Sequence, residues 1–98
     1  IVNLPALLEE FDARADSTQQ VMVSYQAVDL DFARARATCA QIRIAHDAVR
    51  THFFALSELH SQLSDQLNSA QRSRFRLLDT RRSGLDASFD ASQCREAR

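Results

Sequence analysis

Between Val21 and Leu67 the side chains Val21, Tyr25, Val28, Phe32, Ala35, Cys39, Ile42, His46, Val49, Phe53, Leu56, His60, Leu63 and Leu67 recur by alternate steps of four and three. That spacing marks a heptad seam on one face of an α-helix. Neither Gly nor Pro interrupts it. With Tyr25 at an a position, the d set of Val21, Val28, Ala35, Ile42, Val49, Leu56 and Leu63 is wholly aliphatic. The a set mixes aromatic, thiol and imidazole side chains. One face of the stretch is therefore built for burial. Val21, Val28, Phe32, Ile42, Val49, Phe53, Leu56 and Leu63 are its candidate protein interface.

The chain has one Gly and one Pro among 98 residues, too few of the residues that hairpins and tight turns demand, and a length suited to a single domain spanning 1–98. The expected fold class is all-α: an elongated helical bundle or hairpin built on one long helix over about 17–67. A short helix over about 4–15 precedes it and a third over about 69–82 follows. Asn3 caps the first, with Pro5 in its opening turn, and Leu4, Leu7, Leu8 and Phe11 make its apolar stripe. The phase of that stripe meets the Val21 ladder out of step, so a break or kink is expected at Asp16 to Thr18, where Ser17 and Gln20 have capping-box spacing.

Val23, Leu30, Ala37 and Ile44 recur opposite the seam, which predicts burial of the first half of the long helix on two sides. An unbroken 17–67 helix would extend roughly 76 Å, so either the molecule is elongated and oligomeric or a bend turns the helix into a hairpin. Asp29 and Asp31 mark the weakest point. Asp31 at g and Arg36 at the next e suit an interchain ion pair in a parallel dimer.

Asn68 and Gln71 have the spacing to cap the third helix, Phe75, Leu77 and Leu78 give it an apolar side, and Gly84 is placed to end it in the left-handed conformation. The remaining 85–98 reads as a short helix or a disordered tail. All twelve basic residues are Arg, and the net charge of -1 implies no general attraction to nucleic acid or membrane. Arg72, Arg74, Arg76, Arg81 and Arg82 nevertheless cluster around Asp79. They form either a solvated helix face or a docking patch for an acidic partner. Cys39 lies on the seam; a bridge to Cys94 would pin the tail to the long helix and favour an extracytoplasmic home, the localisation being otherwise open.

No catalytic or cofactor motif stands out. His46 and His60 share the a position but lie roughly 21 Å apart along a helix, so a metal site would need either a parallel oligomer that brings His46 of each chain into one ring or a fold-back that adds Glu or Asp, and polar a residues more often set register. Cys39 has no base within reach, a single Gly precludes a phosphate loop, and the Arg-rich segment lacks stacking aromatics apart from Phe75. No apolar run spans a membrane. The expected function is a non-enzymatic protein-protein interaction or assembly module without cofactor, pairing with a second copy or with a helical partner chain.

The run Leu67-Asn68-Ser69-Ala70-Gln71-Arg72, followed by Phe75, resembles the Leu-Thr-x-x-Gln signature that opens the last helix in the Spy/CpxP family of periplasmic helical chaperones and metal-resistance proteins. Asn68 stands where the signature has Thr. The resemblance implies an elongated, often dimeric helical hairpin that binds unfolded clients or senses envelope stress. A third expectation is a helical subunit of a larger assembly.

Overall fold

The heptad ladder is cut in two by a chain reversal. The computed structural model describes residues 3 to 89 and Cys94, and it contains α1 (Leu4–Ala33), α2 (Cys39–Leu63) and α3 (Ser69–Ser88). The architecture is an all-α bundle, elongated to 54 × 23 × 18 Å. There is no single helix over 17–67.

The first helix begins where expected, with the Asn3 side chain accepting from the Ala6 amide at 3.4 Å. It then passes straight through Asp16 to Thr18, correcting the expected break. Phe11, Ala15, Thr18, Met22 and Tyr25 are buried, a stripe stepping by four and three without a fault. The stripe runs through Met22 instead of Val21, which removes the apparent phase conflict and leaves Val21 only partly buried. Ser17 therefore caps no helix, and the hydroxyl of Thr18 beside it donates to the Arg14 carbonyl at 2.7 Å.

The reversal falls at residues 34–38, beyond the Asp29 and Asp31 site suggested by sequence. It is a Schellman turn, in which the Arg36 amide donates to the Asp31 carbonyl at 2.7 Å and the Ala35 amide to the Phe32 carbonyl at 3.0 Å. Ala35 takes φ 58°, a left-handed conformation that costs an L-residue other than Gly roughly 1–2 kcal/mol. Asp31 and Arg36 thus meet within one turn of one chain. Thr38 then caps α2 through a complete capping box with Gln41.

The two halves of the ladder pack antiparallel against each other. The Arg14 guanidinium donates to the Ala55 carbonyl at 3.1 Å, and the Tyr25 ring lies 5.8 Å from that of His46. Each pair is symmetric about the reversal. On α2, Ile42, His46, Val49, Phe53, Leu56, Leu59 and Leu63 are buried, nearly all of them ladder positions. Burying an aliphatic or aromatic side chain stabilises by about 1.5–3 kcal/mol, so this seam dominates the fold. Val28 and Phe32 pack partly buried against the same core. The face opposite the seam differs from expectation: Val23, Leu30 and Ile44 are 53%, 49% and 70% exposed, because α3 covers another side of the hairpin.

The third helix starts with the capping box of Asn68 and Gln71 but runs six residues past Arg82, to Ser88. Gly84 does not terminate it. No Gly has a positive φ, and Leu85, one residue further on, is drawn into the core and holds the helix together beyond Gly84. Of the expected tail, residues 85–88 belong to α3; 90–93 and 95–98 lie outside the described residues. Cys94 is 2% exposed and disulfide-bonded to Cys39, with a Cα–Cα distance of 5.3 Å.

Candidate interaction surface between α2 and α3

Each of α2 and α3 sends one row of side chains into the space between them. From α3 the row is Phe75, Asp79, Arg82 and Asp86, at i, i+4, i+7 and i+11, so the helix period aligns them on the flank that faces α2. The Arg82 guanidinium carbon sits 4.7 Å from the centre of the Phe53 ring. It is held there by Asp86 Oδ2 at 2.6 Å and Asp79 Oδ1 at 3.1 Å. A cation over an aromatic face and two carboxylates at its edge fix the side chain in one place.

Asp86 also ties the helices together. Its other oxygen accepts from His46 Nε2 at 3.0 Å, which puts the imidazole proton on that nitrogen. Phe89 stacks on the same imidazole with centroids 4.0 Å apart. Nearby, the Tyr25 phenol pKa is pushed up to about 12 in all, first by burial and then by the negative fields of Asp29 and Asp86, against a lowering influence of Ser88. At the other end of the bundle, the His60 ring stacks on Phe75 at 3.7 Å. Its pKa is lowered, first by burial and then by the Arg72 cation.

Between these two clusters the helices do not close. An open groove of about 790 Å³ is lined by Asp47, Arg50, Thr51, Phe53, Phe54 and Ser57 of α2 and by Arg82 and Asp86 of α3. A second, smaller hollow of about 470 Å³ is lined by His60, Arg72, Phe75, Arg76 and Asp79. Phe54 stands at the rim, 64% exposed, while its neighbour Phe53 forms the floor. The cause is visible in the sequence: Phe53 is on the ladder at a, and Phe54 is at b, where a helix faces solvent.

The candidate interface residues Ile42, Val49, Phe53, Leu56 and Leu63 are turned into the chain's own core, with Val21, Val28 and Phe32 partly buried beside them. The Arg cluster is divided. Arg82 is held by Asp79 and Asp86, Arg74 pairs with Asp16 of α1, and Arg72 Nε donates to the Leu67 carbonyl at 3.1 Å. Arg76 and Arg81 are exposed. His46 and His60 lie in separate aromatic clusters, and among the described residues no three His, Cys, Asp or Glu side chains are gathered for a metal. No described helix is long and apolar enough to cross a membrane.

Phe54, Arg50 and Asp86 are not among the candidate residues that the sequence pattern singles out. A bulky aromatic at a solvent-facing heptad position was the available signal for Phe54. The pairing of Asp86 with His46, 40 residues away, has no local signature. Comparison with protein-family models, with curated proteins and with solved structures finds no match.

Proposed function

We propose that this chain is a non-enzymatic helical module that binds another protein through the open side between α2 and α3. The observation that carries this reading is Phe54: a large aromatic left 64% exposed at the lip of a groove whose floor is another aromatic ring under a guanidinium. Aromatic and Arg side chains so arranged are the usual anchors of protein interfaces. The heptad seam supports the reading indirectly, because it is occupied by the chain itself and leaves this flank as the free one.

A photo-crosslinking residue at position 54 should yield a specific protein adduct that Arg50→Glu weakens, and the same residue at Gln20, on exposed α1 surface, should not. Equal labelling from both positions overturns the reading.

The disulfide favours a second reading, that of a Spy/CpxP-like chaperone in an oxidising compartment, since such bonds persist where thiols are not kept reduced. Leu67, Asn68 and Gln71 support it only weakly, because capping alone accounts for their spacing. The oxidised protein should then suppress aggregation of a denatured client at near-equal molar ratio. An unchanged aggregation rate would remove this reading.

A further inference from the structure

Along the solvent side of α2, Arg43, Ile44, Asp47, Arg50, Phe54 and Glu58 are all exposed and form one outward strip, of which Asp47, Arg50 and Phe54 also line the groove. Its charges run plus, minus, plus, minus, with Ile44 and Phe54 set among them as the two exposed apolar residues. Among the described residues, Asp47 and Arg50 enter no ion pair within this chain.

A strip with this order becomes its own complement when reversed end to end. Two copies laid antiparallel about a two-fold axis near residue 49 set Ile44 level with Phe54 of the other copy. In the same register Asp47 falls about 1.5 Å along the axis from Arg50 of the other copy, within reach of such side chains, and Arg43, whose guanidinium donates to the Cys94 carbonyl of its own chain, lies about 4.5 Å from Glu58. Every contact occurs twice, as an isologous interface requires. A parallel, in-register arrangement would instead set Asp47 against Asp47 and Arg50 against Arg50. The charge order therefore selects both the occupant and its direction.

We infer that the partner seated on this strip is a second copy of the chain, paired antiparallel through α2. The inference rests on the reading of this side of α2 as a protein-binding surface, and it moves self-association from the ladder to the outward strip.

Sedimentation equilibrium of the oxidised full chain up to millimolar concentration should reveal a monomer-dimer equilibrium. Asp47→Arg and Arg50→Asp should each weaken it at least about tenfold, because each creates two like-charge contacts per dimer. The double variant Asp47→Arg/Arg50→Asp exchanges the two charges and should restore association to within about threefold of the original, with helicity unchanged throughout by circular dichroism. A chain that stays monomeric at every concentration, or a double variant no better than the singles, overturns the inference. If the chain is monomeric while position 54 still gives a specific adduct with a different protein, only the identity of the partner fails. If neither association nor adduct occurs, the binding reading fails with it.

Discussion

Two flanks of α2, less than half a turn apart, have opposite fates. The inward flank buries seven side chains against the rest of the chain. Facing the other flank, α3 has only Leu78 and Leu85 buried and leaves an open groove. A helix that meets one neighbour along its whole length and another only through a few side chains, His46, Phe53 and His60, is stable on the first side and available on the second. The inward flank supplies cohesion, and the outward one supplies surface for recognition.

The sharpest way to break this contrast is at Leu56 and Phe54, two positions apart. Leu56 is fully buried, so Leu56→Ala should cost about 2–5 kcal/mol, whereas Phe54→Ala, at the exposed rim, should stay within about 0.5 kcal/mol. Denaturant titrations of the two variants check this. Comparable losses would mean that the groove is as structural as the seam.

The disulfide comes next in size. Cys39 and Cys94 are separated by 55 residues, and closing a loop of that length disfavours the unfolded chain by roughly 4 kcal/mol in the chain-entropy model. Cys39→Ala/Cys94→Ala should lower stability by several kcal/mol. Because α3 is the less buried helix, amide exchange should quicken in 69–89 before it quickens in the α1–α2 hairpin. Uniform loss of protection would contradict the difference between the flanks.

Two backbone changes should act in the opposite direction. Ala35→Gly relieves a left-handed Ala and should add about 1 kcal/mol. Gly84→Ala places a methyl group where nothing lies within 4 Å, in a helix interior, and should add a similar amount, about 0.8–1 kcal/mol. Thermal melts of each variant read both effects. If Gly84→Ala destabilises instead, α3 is not regular helix beyond Arg82.

Near neutral pH the smallest effects are those of titration. His60 is held below the ordinary imidazole value of 6.5, so the unfolded chain takes up its proton first. The stability this burial supports is present above about pH 6.5 and is lost as pH falls toward the folded-state value; His60→Phe should flatten that slope. Tyr25, the single tyrosine, behaves in the reverse sense. With its pKa raised from 10.0 to about 12, its contribution is present below pH 10 and is lost as pH rises toward 12. Ultraviolet absorbance of the phenolate, titrated in native and urea-unfolded protein, should separate the two midpoints; coincident midpoints would mean that Tyr25 is not buried.

Much of this architecture was legible before any coordinates. Thirteen of the fourteen ladder residues are buried or half-buried, and the exception, Ala35, is the smallest d residue and lies in the reversal. Thr38 and Gln41 carried the same capping signal as Asn68 and Gln71. The signal was masked because the five-residue link happens to preserve heptad spacing from Phe32 to Cys39, with no Gly or Pro to punctuate it. Ser17 and Gln20 carry that spacing too and cap nothing, since Thr18 and Met22 beside them belong to a continuous buried stripe. The groove was least legible, because it depends on how far α3 stands from α2.

By itself, then, the sequence determined the helical class, the residues that leave water, and two of the three helix starts. Only the tertiary structure decided what those residues meet. The hydrophobic effect rewards burial without specifying a partner, so one ladder serves equally for a pair of chains or for a chain doubled on itself. The choice of a hairpin follows from long-range packing, in which burial of the α2 seam on α1 outweighs the conformational cost at Ala35.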